Sequence, residues 1–430
     1  MKLSLCMIVK NEEVALPKCL ESVKNVVDEI VVLDTGSTDK TPEIAQQFGA
    51  KLHYFPWCND FSKARNEALK YVTGDWILVL DADETLTPEI VPQIREAINI
   101  DDYLLINLVR QEVGATQSPY SLVSRLFRNH PDISFDSPYH ALVDDSVMAI
   151  LKKETDWQVG YLPKVAILHA GYQKAVINQQ NKHAKAAASM EEFLATHPDD
   201  AYLCSKLGAI YVEIGKVNEG IDLLNHGLNL VVGNSRKSEK KASGWLKDSQ
   251  AMRIKNSLNE DREEENYDIL YELNYHLGIA YTQLKDFSLA ISYYQAALKL
   301  PIYPLLKLGG YNNLGNLLKA TGDLPGARNA YATALKIDDS FVTGYYNLGM
   351  VSKAMGLFVE AIDAYNCAIS LNPDYAEAYQ NLGVVLLKVG DLENSMAAFE
   401  YAINLHEKDN PEEAKRLFQG LQEMGFLGDR

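Results

Sequence analysis

Cysteine is scarce in this sequence and forms no useful pair. The five residues Cys6, Cys19, Cys58, Cys204 and Cys367 are odd in number and show no Cys-x-x-Cys spacing, which excludes a zinc ribbon or a dithiol redox centre. Scattered thiols suit a reducing compartment, so the expected location is cytoplasmic. No run of about 18 apolar residues occurs, and no transmembrane span is expected. The apolar start Leu3–Val9 leads into Lys10-Asn11-Glu12-Glu13 where a cleavage site would be needed, so no signal peptide is expected either. Positive charge is also in deficit. Lys and Arg number 41 against 58 Asp and Glu, a net charge of −17, which argues against a general nucleic-acid or anionic-membrane surface. An anionic ligand must therefore be met locally.

What is present divides into two halves, as expected for 430 residues, a length beyond the usual size of one hydrophobic core. Short β-branched runs alternate with helical stretches in Leu3–Val9, Leu16–Asn25, Glu29–Leu33, Pro42–Phe48 and Trp76–Leu80. This alternation predicts an α/β domain with a largely parallel sheet. The strands end in the polar loops Lys10–Glu13, Asp34–Asp39 and Asp81–Glu84, which should face one crevice at the carboxyl ends of the strands. In the last of these, Asp81 and Asp83 emerge from a buried strand two residues apart. Such carboxylates suit Mg²⁺ or Mn²⁺ shared with substrate phosphates.

From about residue 185 the apolar spacing becomes helical and repeats. Leu-Gly glycines fall at Gly278, Gly315, Gly349 and Gly383, separated by 37, 34 and 34 residues, with a weaker copy at Gly208. Small residues recur at Ala290, Ala327, Ala361 and Ser395, and aromatics at Tyr294, Tyr331, Tyr365 and Phe399. This pattern resembles the tetratricopeptide repeat (TPR), a helix-turn-helix unit that stacks into a superhelical solenoid. The expected organisation is an α/β domain over 1–175, linking helices and a weak first repeat-like pair over 176–232, and a charged, solvated insertion over 233–266. Four repeats over 267–410 and a capping helix over 411–430 complete it.

Motifs in the first half carry a second resemblance. Leu3–Glu13, Val32–Asp39, Phe61–Asn66 and Gly74–Glu84 are followed by Arg125–Asn129, Tyr139-His140 and Leu168–Tyr172. In order and spacing they are similar to the family 2 inverting glycosyltransferases, over roughly residues 1–175. The resemblance implies a GT-A nucleotide-diphospho-sugar transferase domain, followed here by the all-α TPR solenoid. It places Asn11 and Glu12 beside base and ribose, Asp34 on the base, Arg65 near the nucleotide, Asp81 near the ribose, and Asp83 with His169 on Mn²⁺ or Mg²⁺. A UDP-sugar is the first donor expected. Inverting transfer needs a base, and relatives of this branch carry His-Glu where this chain has His140-Ala141. Asp136, Asp144 and His140 are the catalytic candidates that remain, with Glu112 nearby.

Two functions stay open at this point. One is a metal-dependent hexosyltransferase whose repeats hold or select the acceptor, and the other a catalytically weak nucleotide-sugar-binding domain on a protein-interaction scaffold. A nucleotidyltransferase would want a glycine-rich, basic phosphate loop after the first strand, which Lys10–Glu13 is not. In the repeats, Asn313, Asn347 and Asn381 each lie two residues before the marker glycine, with His276 and Lys206 at the matching earlier positions. Equivalent asparagines on first helices predict a ladder of amides that grips a peptide backbone, like that in the repeats of the protein O-linked N-acetylglucosamine transferases.

Overall fold

The computed structural model describes residues 1–115, 119–136, 141–170, 179–242 and 251–426, with side chains for all of these except 179–185, 233–242 and 251–266. The chain forms two compact units, one of Met1–Ala115 with Pro119–Lys216 and one running from Val217 to the C-terminus. The first unit therefore runs past the expected limit of 175.

Its elements are β1 (Leu3–Val9), α1 (Leu16–Val23), β2 (Glu29–Asp34), α2 (Thr41–Gln47), β3 (Lys51–Tyr54), α3 (Phe61–Leu69), β4 (Trp76–Val79), β5 (Glu84–Leu86), α4 (Val91–Ala97), β6 (Tyr103–Glu112), β7 (Tyr120–Arg128), α5 (Asp144–Leu151), β8 (Gln158–His169), α6 (Gln179–Thr196) and α7 (Ala201–Glu213). The eight strands form one sheet in the order β3-β2-β1-β4-β7-β6-β8-β5. The β3-β2-β1-β4 half is parallel, as the alternating pattern predicts. The other half is mixed, which corrects the expectation of a largely parallel sheet: β6 and β8 pair parallel, but β7 runs antiparallel to both β4 and β6, and β5 antiparallel to β8. Strands β6 and β7 follow one another without an intervening helix, which favours antiparallel pairing.

Both faces of the sheet are covered. Leu16, Cys19, Leu20 and Val23 of α1 pack with Leu5, Met7 and Leu78 on one side; Ala64 and Ala68 of α3 pack with Val31, Leu33, Val79 and Phe127 on the other. Between β6 and β7 the register shifts: Ile106 pairs with Leu126 and Leu108 with Val123, two steps on β6 against three on β7. The extra residue is a β-bulge, which turns a side chain that strict alternation would send to the opposite face.

The second unit contains α8 (Val217–Ala242), α9 (Ala251–Gln283), α10 (Phe287–Lys299), α11 (Leu308–Thr321), α12 (Leu324–Ile337), α13 (Val342–Ala354), α14 (Phe358–Leu371), α15 (Ala376–Val389), α16 (Leu392–Asp409) and α17 (Pro411–Glu423). The charged stretch 233–266 includes the end of α8 and the start of α9, with 243–250 outside the described residues. From α9 onward the helices pair as first and second members of four repeats, and α17 follows them, packing Ala414 and Leu421 with Phe399 and Ile403 of α16.

The marker glycines have a steric cause. A Cβ on Gly278, Gly315, Gly349 or Gly383 would come within 2.7, 2.5, 2.6 or 2.9 Å of the ring of Tyr294, Tyr331, Tyr365 or Phe399 respectively. Each first helix thus leaves out a side chain where the aromatic of its second helix lies, which links the two sequence markers to one contact. The turn between the paired helices needs a left-handed residue seven positions after the marker; Gly322, Gly356 and Gly390 supply it, and in the first repeat Lys285 does so at φ 62°.

Candidate active site

The loops after β1 and β2 are joined by side chains. Asn11 adopts φ 56°, and its Oδ1 accepts from the Thr38 amide at 2.8 Å while its own amide donates to Ser37 Oγ at 2.9 Å. The Glu12 amide donates to Thr41 Oγ1 at 2.7 Å. Asp34 ends β2 and is buried. Its Oδ1 accepts from the amides of Gly36 and Ser37, both at 2.8 Å, so the turn chemistry of Asp-Thr-Gly-Ser is realised. Its Oδ2 is buried without a hydrogen-bond partner, the kind of orphan acceptor that a bound donor would satisfy.

Asp81 lies between two arginines. Arg65 Nη2 of α3 donates to Oδ1 at 2.8 Å and Arg125 Nη2 of β7 to Oδ2 at 2.7 Å. Burial would raise the Asp81 carboxyl, but the Arg125 and Arg65 charges outweigh it and hold it far below the usual carboxylate range. Arg65 is thus a buried partner of Asp81, its guanidinium 5.3 Å from the centre of the Phe135 ring. Beneath them the fully buried Glu84 accepts from the Asp81 amide at 2.9 Å and from Arg110 Nη1 at 3.1 Å. Arg125 sits in the bulged stretch of β7 beside Ser124, and Ser124 Oγ donates to Asp144 Oδ1 at 2.6 Å.

The second aspartate faces a histidine. His169 is the last residue of β8, in register with Glu84 of β5 on one side and Glu112 of β6 on the other. Its Nε2 lies 3.2 Å from Asp83 Oδ2 and its Nδ1 2.5 Å from Glu112 Oε2. Hydrogen bonds to Asp83 and Glu112 raise the imidazole to about 9, and the His169 bond in turn lowers Asp83. Glu112 is lowered as well: burial opposes, and His169 and Arg110 prevail. Among the described residues no three His, Cys, Asp or Glu side chains are placed to hold an ion by themselves. Asp83 and His169 offer one oxygen and one nitrogen on a common side. That number fits Mg²⁺ or Mn²⁺, whose remaining positions go to water and phosphate. Glu112 on the far ring nitrogen is the partner that orients a histidine ligand.

The catalytic candidates separate. Asp136 is exposed and joined by one backbone bridge to Leu142. Asp144 opens α5 with one oxygen on Ser124 and the other, Oδ2, buried without a hydrogen-bond partner; burial raises its carboxyl. His140, with Tyr139, lies outside the described residues, as do Gly171 and Tyr172. Glu112, a nearby substitute on sequence grounds, is committed to His169 and to Arg110, whose Nη2 is 2.9 Å away. The roles of Arg110, Arg125 and Glu84 were not foreseen. Arg125 did stand inside a matched motif, and Glu84 directly follows Asp83, but nothing local to either names its partner.

The asparagines of the repeats lie otherwise than expected. Asn313 Nδ2 donates to Tyr275 Oη at 3.2 Å, Asn347 Nδ2 to Asn312 Oδ1 at 2.8 Å, and Asn381 Nδ2 to Tyr346 Oη at 3.2 Å. Each acceptor lies three residues before the marker glycine of the preceding repeat. The amides therefore tie successive first helices together, and Asn347 is only 7% exposed. The expectation of a free amide ladder is corrected: each amide nitrogen gives a hydrogen to the preceding repeat across the seam. Among the described residues, no helix is long and apolar enough to cross a membrane.

Comparison with known proteins agrees with this division. The glycosyl transferase family 2 model matches residues 4–160, and tetratricopeptide repeat models match 271–301, 315–356, 353–390 and 376–409. A TPR repeat-containing protein of Synechococcus elongatus is 42% identical over 337 residues, 77% of this chain and 76% of that one. The glycosyltransferase SunS of Bacillus subtilis is 30% identical over 226 residues, and the chain spans about half its length, 52% of each. Among solved structures, the TPR protein YrrB aligns with 54% of this chain and 100% of its own at 14% identity and a TM-score of 0.39. The chain belongs to the family 2 glycosyltransferases, in a form that carries tetratricopeptide repeats behind its transferase domain.

Proposed function

We propose that this glycosyltransferase moves a hexose from a nucleotide-diphospho-sugar to an acceptor hydroxyl with inversion, and that it does so with Mn²⁺ or Mg²⁺ held by Asp83 and His169. The observation that carries the reading is the placement of His169, in reach of Asp83 through Nε2 and held from behind by Glu112. When bound, the ion would neutralise charge on the departing diphosphate.

The rest follows from the chain's own side chains. Asp34 Oδ2, without a protein partner, is suited to accept from the nucleobase, with Asn11 and Glu12 forming the rim on that side. Arg65 and Arg125 hold Asp81 rigid at the floor, which keeps the strand end and hence Asp83 in place. For the base, Asp144 fits better than Asp136: burial raises both carboxyls, but Asp144 also keeps a buried oxygen without a hydrogen-bond partner, suited to take a proton from an attacking hydroxyl. A UDP-sugar is the first donor to try, and the repeats would hold the acceptor or the protein that presents it. A donor-hydrolysis screen across UDP-, GDP- and dTDP-sugars with Mg²⁺ and Mn²⁺ tests this reading. Metal-dependent release of one nucleoside diphosphate is expected, and no turnover of any donor with either ion would contradict it.

A further inference from the structure

Arg110 of β6 stands between two groups of side chains. In one, Asp81 is clamped by Arg65 and Arg125 above the buried Glu84; in the other, Glu112 holds His169 against Asp83. The Arg110 guanidinium joins them. Its Nη1 donates to Glu84 Oε1 at 3.1 Å, its Nη2 lies 2.9 Å from Glu112 Oε1, and its Nε donates to Ser121 Oγ at 3.2 Å. All three nitrogens thus meet side chains of the same sheet, from β5, β6 and β7 in turn.

Strand geometry brings these groups together. Residues 110 and 112 lie two apart on β6 and so share a face of the sheet. Their neighbours on β8 are set by a register shift: Val109 pairs with Val165 but Arg110 with Ile167, one step on β6 against two on β8. Without that extra residue Glu112 would pair with Leu168. With it, Glu112 pairs with His169, and carboxylate and imidazole come side by side.

The two oxygens of Glu112 are divided between two partners, Oε2 on His169 Nδ1 and Oε1 on Arg110. A carboxylate held at one oxygen can still turn about its last torsion, which is broad. Held at both, its plane is fixed, and with it the direction in which the imidazole is held. A planar guanidinium suits this task, because its fork reaches two carboxylates at once. Neutralising the buried Glu84 would by itself be a reason for a cation at 110, although Arg125, 3.8 Å from Glu84 Oε1, shares that role. It does not explain why the second arm reaches Glu112.

We propose that Arg110 is a positioning residue for the ion site: it touches neither ion nor donor and acts by fixing Glu112, and through it the ring of His169. The inference rests on the reading that Asp83 and His169 hold Mn²⁺ or Mg²⁺. It adds a link to the nucleotide side, because the same guanidinium bonds Glu84, which accepts from the Asp81 amide in the turn that carries both aspartates.

A double-mutant cycle on the full chain tests this, with Mn²⁺ titrated by calorimetry in the presence of UDP into the wild type, R110Q, E112A and R110Q/E112A. R110Q should weaken Mn²⁺ binding by about tenfold, the lower end of what losing a ligand's supporting partner costs. In the E112A background the same substitution should change the affinity by less than about twofold, since the group through which Arg110 acts is gone. R110K keeps a charge beside Glu84 but replaces the fork by a point donor. It should fold like the wild type and still weaken Mn²⁺ binding, and it takes the place of R110Q in the cycle if R110Q does not fold. An unchanged Mn²⁺ affinity in the Arg110 variants would overturn the inference. So would a loss that persists undiminished in the E112A background, which would mark Arg110 as a direct contact of the nucleotide or ion. If the wild type itself binds no Mn²⁺ in the presence of UDP, the reading of Asp83 and His169 fails, and this inference with it.

Discussion

Glu112 lies 2.5 Å from the Nδ1 of His169, fifty-seven residues further along the chain, and so sets which ring nitrogen of that histidine is presented to Asp83. An orienting carboxylate and a catalytic base make different demands, which separates the two roles open to Glu112. Glu112→Gln should weaken Mn²⁺ binding by about 10- to 100-fold, read by calorimetry in the presence of UDP. A variant with unchanged Mn²⁺ affinity but lost turnover would instead mark Glu112 as the base.

The two aspartates of the Asp81-Ala82-Asp83 turn should differ in what they do for stability. Asp81 neutralises Arg65 and Arg125, whose side chains are 11% and 13% exposed. Asp81→Ala leaves Arg65 without its carboxylate and Arg125 with Glu84 alone, 3.8 Å away, and should cost about 1–3 kcal/mol. Asp83, as exposed as Asp81, meets His169 and no arginine, and Asp83→Ala should cost about 1 kcal/mol or less. Urea unfolding of the two variants measures the difference. Equal losses would mean that the clamp on Asp81 does not stabilise the fold.

A third expectation concerns the seam between repeats. Asn347 is buried, and its removal leaves Asn312 Oδ1 without its donor. Asn347→Ala should lower stability by about 1–3 kcal/mol, and more than Asn313→Ala, because Asn313 is less buried. Thermal melts of the three single variants at Asn313, Asn347 and Asn381 check this ranking. If all three melt with the wild type, the amides do not hold the repeats together.

Acid should act on the first unit through Glu29. Burial opposes its ionisation, but donors from Lys51, Ser4 and Thr73 outweigh this and bring the carboxyl from 4.5 down to about 2. The folded value is depressed, so the contribution to stability is complete above about pH 4.5 and is lost as pH falls through 2. It amounts to about 3 kcal/mol at most. The stability gap between wild type and Glu29→Gln in urea should therefore narrow as pH is lowered from 5 to 2. A gap that stays constant over that range would show that the ion pair and hydrogen bonds at Glu29 do not set the acid limit.

The parallel strands, the three loops at their ends and the repeat period were legible because each is written in a local pattern. Leu3–Val9 and Glu29–Leu33 are apolar runs bounded by turn residues, and Gly315, Gly349 and Gly383 recur at fixed spacing. The antiparallel pairings of β7 and β5 were not legible. The pairing of β6 with β7 depends on the two strands following one another directly, and the bulge beside Arg125 leaves no mark in composition. The partners of His169 were half legible: Asp83 came with its motif, whereas Glu112 is defined by register across β6 and β8. The asparagine ladder shows the opposite error. Its period was plain in the sequence, but whether an amide faces a ligand or the next helix depends on how closely first helices approach, which only the packing reveals.

The central claim is that donor binding depends on an ion at Asp83 and His169. Isothermal titration calorimetry of UDP and of GDP into the full chain, with and without Mn²⁺, tests it most directly when repeated on Asp83→Ala. Binding of one nucleotide that requires Mn²⁺ and disappears in Asp83→Ala, while the variant keeps its fold, is the expected result. The same affinity with and without Mn²⁺, or in the wild type and Asp83→Ala, would contradict the account.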